Sequence, residues 1–409
     1  MKKKLLWIAL NPPCKKNVTA GGKTFNYYYQ KFKDSGLFDI HLIALCNDSF
    51  RSHLEPSVAQ EKLLLRQTDI MSKIKRLSSI ESKLNPWNRN GNLISNQFEK
   101  FVIKSARQFK QEGFIPDVII LEWTQCVVLA EKIKRIFPDA KLIASEHDVT
   151  FVKYEREAQF EKTAKNKIKT IKAKNEKRVE LAALSVCDLI LVQNPDNADI
   201  LVKEGIQKEA IRCIAPFIDK FSGAVRGNIK KDIVFYGAMK RPENYLTAIW
   251  FIENVMPLIR DKNCRFIVAG NMPPQQLEAY RSDRVVITGF VDSMMPYFEQ
   301  SMCFAAPLVL GAGIKVKVLE AMSSGIPVLA NSIGIEGIHV QDKKDYLHCE
   351  TAQEYADAIN DICSCTDNGS GYDKYIQMGA NAKKIILNQF DEESSAQSYL
   401  ANVLELTRR

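Results

Sequence analysis

Histidine, tryptophan and paired cysteine are the scarce ingredients of this chain. Its 409 residues include five histidines and four tryptophans. No two histidines stand at metal-ligand spacing, which argues against a structural zinc site. The ten cysteines sit in apolar contexts such as Leu45-Cys46 and Met302-Cys303-Phe304, without CxxC spacing, and Cys363 and Cys365 are the only close couple. Reduced, buried thiols are therefore expected instead of a disulfide framework. Also missing is any uninterrupted apolar stretch of about eighteen residues, so no membrane-spanning helix is expected. The apolar run at residues 5–10 stops at Asn11-Pro12-Pro13. That is too short for a signal-peptide core and reads as a first buried strand, which points to a cytoplasmic protein. No G-x-G-x-x-G follows that strand, which disfavours a dehydrogenase. Low-complexity tracts and long repeats are absent too, leaving disorder without support.

What is present is ordinary in bulk, 46% hydrophobic and 26% charged, but long enough to exceed one hydrophobic core and divide into two domains. The net charge of +9 is unevenly placed: residues 1–215 hold 37 Lys/Arg against 25 Asp/Glu, and the remainder 20 against 23. Much of the excess falls in residues 153–178, where Lys162, Lys165, Lys167, Lys169, Lys172, Lys174, Lys177 and Arg178 crowd together. Two readings stand for this run: a solvated helix, or a surface attracted to anionic lipid headgroups or a phosphate-bearing acceptor. Nucleic acid is disfavoured, because no array of stacking aromatics is interleaved with the cations.

Short apolar runs alternate with longer amphipathic stretches along the chain, the pattern of a parallel-sheet α/β protein. Strands are expected at residues 5–10, 40–45, 117–121, 141–145 and 188–192, then at 233–236, 265–269, 285–288, 303–306 and 327–330. The connector Ala215-Pro216-Phe217-Ile218-Asp219, followed by Gly223 and Gly227, separates two Rossmann-like domains, residues 1–215 and 222–390. Residues 49–96 read as an irregular insertion or a membrane-facing hairpin. The final stretch, 391–409, groups Tyr399, Leu400, Val403 and Leu404 on one side of a helix, suited to packing back on the first domain.

Residues 306–328 hold the densest chemistry. A strand end leads into Gly311-Ala312-Gly313-Ile314-Lys315-Val316-Lys317, then into a helix carrying Glu320, then through Gly325-Ile326-Pro327 into the next strand. Gly311 and Gly313 let backbone approach a ligand, and a helix N-terminus favours phosphate. Lys315 and Lys317 in the first turn oppose the helix dipole, which suggests an anionic ligand. Glu320 suits ribose hydroxyls, although its i, i+3 spacing from Lys317 also permits a plain intrahelical ion pair.

This segment resembles the family 4 glycosyltransferases of the GT-B fold, especially bacterial enzymes that build surface polysaccharides. The likeness rests on Leu319-Glu320-Ala321-Met322, Gly325-Ile326-Pro327-Val328 and Ile333-Gly334-Ile335-Glu336-Gly337, supported by Phe235-Tyr236-Gly237-Ala238-Met239 with Pro242 and Asn244, by Thr288-Gly289-Phe290-Val291-Asp292, and by Gly21-Gly22. It implies two Rossmann-like lobes with parallel sheets facing a central cleft. It also implies a UDP- or GDP-linked sugar donor and retention of anomeric configuration without a cofactor or metal, consistent with the lack of an Asp-x-Asp motif. The donor would meet Gly21, Gly22, Gly237, Lys240, Phe290, Gly311, Gly313, Ile314, Lys315 and Glu320, with Lys317 stabilising the departing diphosphate. The acceptor would be lipid-linked or a glycan, and the basic N-terminal lobe a peripheral contact with anionic membrane.

Two departures stand out. Ala312 occupies a position where the family often has a Glu touching the donor sugar, and Ala238 one where it often has an Arg. A catalytically silent partner subunit is therefore kept as an alternative, and a sugar-nucleotide epimerase as a lesser one. His147, at the end of a strand where open α/β sheets bind ligands, is either structural or, as the resemblance implies, a contact to the transferred sugar or leaving phosphate. Glu146 and Asp148 beside it are candidates for acceptor activation.

Overall fold

The computed structural model describes residues 2–14, 19–46, 62–65, 93–160, 166–367 and 371–408, with backbone alone for 62–65. The 49–96 insertion thus lies largely outside the described residues, as do Lys162 and Lys165 of the basic run. The chain forms two compact units: residues 1–217 with 392–409, and residues 218–391.

The first unit holds a seven-stranded parallel sheet in the order β3-β2-β1-β4-β5-β6-β7. Its strands are β1 Lys3–Ala9, β2 Phe38–Cys46, β3 Lys62–Leu65, β4 Val118–Glu122, β5 Lys141–Glu146, β6 Leu189–Val192 and β7 Ile211–Cys213. Leu5 to Ala9 are buried without alternation because both faces are covered, as parallel sheets require. Leu6 and Ile8 join one core, shared with Phe98, Val102 and Leu142. Leu5 and Trp7 join the other, shared with Phe25, Phe32 and Tyr399. Tyr399 belongs to the C-terminal helix Glu392–Leu406, which buries Ala396, Tyr399 and Val403 and sets Tyr399 edge-on to Trp7, Tyr28 and Phe32. Ser395 Oγ accepts the Ala215 N–H at 2.8 Å, tying this helix to the end of the unit's first segment.

The second unit holds six parallel strands in the order β10-β9-β8-β11-β12-β13. These are β8 Lys230–Tyr236, β9 Arg265–Ala269, β10 Val285–Gly289, β11 Ser301–Ala306, β12 Val328–Ala330 and β13 Leu347–His348. In each sheet the chain order reverses once, between β1 and β4 and between β8 and β11. Ligand crevices of open α/β sheets open at the carboxyl ends of strands flanking such a switch, and that is where the candidate residues gather.

All ten cysteines are free thiols, eight of them buried. The nearest couple in space is not Cys363 with Cys365 but Cys363 with Cys264, sulfur to sulfur at 2.8 Å. With Asp261 they bring ligand atoms within 4.8 Å of one another. That is three groups where tetrahedral zinc takes four, and Asp261 is already held by Lys231. No helix among the described residues is long and apolar enough to cross a membrane.

Candidate active site

In the second unit the site starts at β8. Tyr236 ends the strand, and Gly237 continues it by donating its N–H to Ala269 O at 3.0 Å. The chain then turns into the helix Pro242–Asn254, whose Asn244 is buried and donates Nδ2 to Ala238 O at 2.9 Å. The free side of that amide, Oδ1, accepts from Lys317 Nζ. Lys317 lies in the first turn of the helix Val316–Ser324, and its ammonium stands 4.9 Å from the centroid of the Phe235 ring. Its partners are thus an amide oxygen and an aromatic face, both neutral. Burial, followed by the cations Arg241 and Lys315, pushes the Lys317 ammonium down to about 7, far below an ordinary lysine.

Glu320, one turn on, does not pair back to Lys317. Its Oε2 accepts from the Tyr236 hydroxyl, and its Oε1 from the Asp219 N–H at 3.3 Å. Burial and the adjacent Glu320 hold the Tyr236 phenol well above its usual range, so it stays a donor. The intrahelical ion pair allowed by spacing gives way to contacts with β8, because Lys317 and Glu320 lie over the carboxyl end of that strand.

The preceding loop owes its shape to Gly311 and Gly313, whose φ values of 125° and 69° suit glycine. Lys315 folds back across it. A Cβ on Gly311 would lie 3.3 Å from Lys315 Cε, and Lys315 Nζ donates to Gly313 O and pairs with Glu336 Oε2 at 3.1 Å. Both side chains of that ion pair are about nine-tenths buried. The reading of Lys315 as a phosphate ligand is therefore modified: its charge is balanced by Glu336, and its geometry is that of a latch on the loop. Ile314, within the loop, is buried, whereas Lys240 and Phe290, the latter just past β10, are exposed. Neither of these last two takes part in the hydrogen bonds just described. Glu336→Gln removes the charge that holds Lys315 while keeping an acceptor. The donor KM is expected to rise about tenfold, roughly the worth of one buried hydrogen bond to a charged group, with kcat changed less; steady-state kinetics will show the split.

The first unit places its own group at the β1–β4 switch. Gly21 and Gly22, which by the family resemblance would form a glycine loop, stand instead in the first turn of the helix Ala20–Asp34, because Thr19 caps it by accepting the Gly22 N–H at 3.2 Å. Gly21 is needed for room: a Cβ there would sit 3.0 Å from Trp123 Nε1 and 3.4 Å from His147 Nδ1. His147 is buried, its Nε2 at 2.5 Å from Glu122 Oε1 and its Nδ1 at 2.9 Å from Gln193 Nε2. With the amide donating to Nδ1, the ring proton sits on Nε2 and is donated to Glu122. Glu122 also accepts from Ser145 Oγ at 3.0 Å and from Trp7 Nε1 at 2.9 Å.

Trp123, next to Glu122, has φ 67° and ψ 149°, a conformation costing a non-glycine residue about 1–3 kcal/mol and typical of functional sites. Glu146 faces the other way. It is buried, hydrogen-bonded by Thr124, and pushed well above the usual carboxylate range chiefly by burial and then by Glu180, which is a poor position for a base. Asp148 is exposed. Sequence reasoning missed Glu122 and Gln193; the signal for the first was a lone carboxylate ending the apolar run Val118–Glu122.

Residues 230–365 match the family described as Glycosyl transferases group 1. The chain carries a glycosyltransferase domain. Known structures extend the likeness in fold to the whole of it. The chain superposes on sucrose-phosphate synthase from Thermosynechococcus elongatus with a TM-score of 0.71 at 14% identity, covering 99% of each chain. Anabaena HepE in complex with UDP and glucose gives 0.68 at 13% identity, covering 98% of this chain and 100% of that one. Staphylococcus aureus TarM gives 0.63 at 12% identity over the full length of both. The two parallel-sheet units are therefore those of the GT-B fold. In sequence, an uncharacterized 44.6 kDa protein of the cps region of Klebsiella pneumoniae is 25% identical over 179 residues. That match takes in 39% of this chain and 45% of its relative.

Proposed function

We propose that this chain is a retaining family 4 glycosyltransferase that moves a hexose or related sugar from a UDP- or GDP-linked donor, without a metal ion, to a lipid-linked or polysaccharide acceptor in cell-surface glycan synthesis. The observation that carries the reading is Lys317: an ammonium with neutral partners, set at a helix N-terminus on the switch point of the second sheet. A diphosphate there satisfies both the cation and the helix-end amides, and Lys317 balances the charge that grows on the diphosphate as the glycosidic bond breaks. Glu320 is the ribose ligand, the sugar hydroxyls taking over the places now held by Tyr236 and the Asp219 N–H. His147, fixed by Glu122 and Gln193, contacts the transferred sugar and is not a nucleophile, since both ring nitrogens are engaged. The Klebsiella relative's origin in a cps region supports the polysaccharide role, and HepE and TarM crystallised with UDP support a UDP-linked donor. A lipid-linked acceptor places the enzyme at the cytoplasmic face of a membrane.

The test is titration calorimetry with UDP and GDP, followed by mass-spectrometric screening of nucleotide-sugar hydrolysis. One of the two nucleotides is expected to bind, and its sugar conjugate to be consumed. A protein that binds neither overturns the proposal.

A further inference from the structure

The second unit holds a close pair of side chains that the donor site does not use, Cys264 and Cys363, sulfur to sulfur at 2.8 Å. Cys264 stands just ahead of β9 and Cys363 lies in the helix Ala352–Asp367, 99 positions further along the chain. Both are buried, with 0% and 3% of their surface exposed. The backbone is held on each side. Asp261 shapes the turn before β9, its carboxylate accepting the Asn263 N–H at 2.8 Å and its carbonyl the Cys264 N–H at 3.3 Å. On the helix, Asn360 accepts the Arg260 N–H at 2.9 Å and donates to Leu258 O at 3.4 Å, while the buried Tyr355 meets Trp250 and Phe251 edge-on. The two thiols therefore face each other because packed, hydrogen-bonded elements bring them there.

The separation decides what the pair can do. It lies well inside the roughly 3.5–4.0 Å at which non-bonded carbon atoms touch, and sulfur is the larger atom. Two sulfurs on a tetrahedral zinc stand about 3.8 Å apart, given Zn–S bonds of about 2.3 Å, so a metal would have to drive this pair apart by about 1 Å. A disulfide bond of about 2.05 Å asks instead for about 0.8 Å of closure. From the sulfur separation, the fixed elements on either side and the burial, we infer that Cys264 and Cys363 are a peroxide-sensitive pair that closes reversibly into a disulfide, clamping the helix Ala352–Asp367 to the amino end of β9.

The chemistry balances with a peroxide as oxidant. The hydrogen bond to Cys363, and after it burial, push the Cys264 thiol far up, so Cys264 keeps its proton and the first attack falls to Cys363. Its sulfur breaks the O–O bond of hydrogen peroxide, becoming a sulfenic acid and releasing water. The Cys264 sulfur then attacks the Cys363 sulfur. The S–S bond forms as hydroxide leaves, and the Cys264 proton converts that hydroxide to a second water. Two electrons pass from the sulfurs to oxygen. Burial slows the first attack, and it also keeps reducing thiols from the finished bond.

Peptide mapping of the full chain tests it. The protein is treated with excess hydrogen peroxide, alkylated in denaturant and digested without reductant. The expected product is a peptide joining Cys264 to Cys363, two hydrogens lighter than its reduced parts and separated again by dithiothreitol. The bond closes a long loop, so the thermal transition of the second unit should rise by about 5 °C. Cys264→Ala, with circular dichroism unchanged, should abolish that rise; should the variant fail to fold, the map of the wild-type chain decides alone. Recovery of both thiols alkylated while the exposed Cys213 is oxidised would overturn the inference. So would a link from either residue to a different cysteine, or zinc held stoichiometrically by the two thiols of the untreated chain after dialysis. None of these readouts involves nucleotide binding, so the result is independent of the proposed function.

Discussion

Lys317→Gln should slow sugar transfer by about two to three orders of magnitude while leaving the protein folded, the cost of removing one preorganised charge donor from a leaving group. The glutamine can still bond to Asn244, so the loss isolates charge. A second readout comes from pH. The free ammonium is pushed down to about 7, so in the unliganded protein it is charged below that pH and loses its proton above it. A nucleotide-sugar diphosphate, which does not itself titrate in this range, favours the charged form and must draw a proton in when it binds at higher pH. Donor affinity is therefore expected to be flat below about pH 7 and to fall by up to about tenfold per unit above it, whereas the glutamine variant should show no such slope. Calorimetry in buffers of different ionisation enthalpy will report the proton uptake. Turnover unchanged in the variant would remove Lys317 from the chemistry, and a level wild-type profile would remove its titration.

The second large effect is on stability. Glu122 is 2% exposed and accepts from His147, Ser145 and Trp7 together. Glu122→Ala leaves three buried donors without their acceptor. Breaking such a buried charged group costs about 3–5 kcal/mol, so the thermal transition of the first unit should fall by about 10 °C. Trp7 and Trp123 both lie beside this carboxylate, so tryptophan fluorescence can follow the same transition. His147→Ala removes one donor and leaves the acceptor, so it should destabilise less. Sugar transfer lost in His147→Ala with little change in melting temperature would mark the histidine as a substrate contact and Glu122 as the group that positions it.

The parallel sheets were legible in sequence because buried parallel strands are near-continuous apolar runs. All ten expected strands are present, from β1 to β12. The three others announce themselves poorly: β13 is two residues long, β7 exposes two of its three residues, and β3 falls in a stretch without clear periodicity. Gly21-Gly22 read as a glycine loop through the family resemblance, yet Thr19 supplies the cap that starts a helix there. The motif around Lys317 and Glu320 was visible in its spacing. Their partners were not, since Asn244 and Tyr236 lie more than seventy residues away and meet them only through sheet order. Lys315 shows the limit most clearly: nothing local distinguishes a lysine aimed at phosphate from one latched to Glu336, 21 positions later.

The helix Glu392–Leu406 packs on the same sheet that the first strand begins. The second sheet is therefore an insertion within the first unit, whose own sheet is covered only once residues beyond that insertion have been made. On the ribosome, residues 218–391 can finish folding while Trp7, Tyr28 and Phe32 still lack the Tyr399 that covers them. Synthesis halted before residue 392 would thus leave Trp7, Tyr28 and Phe32 as an aromatic surface open to chaperones, and loss of residues 392–406 would injure the sheet of the first unit before that of the second.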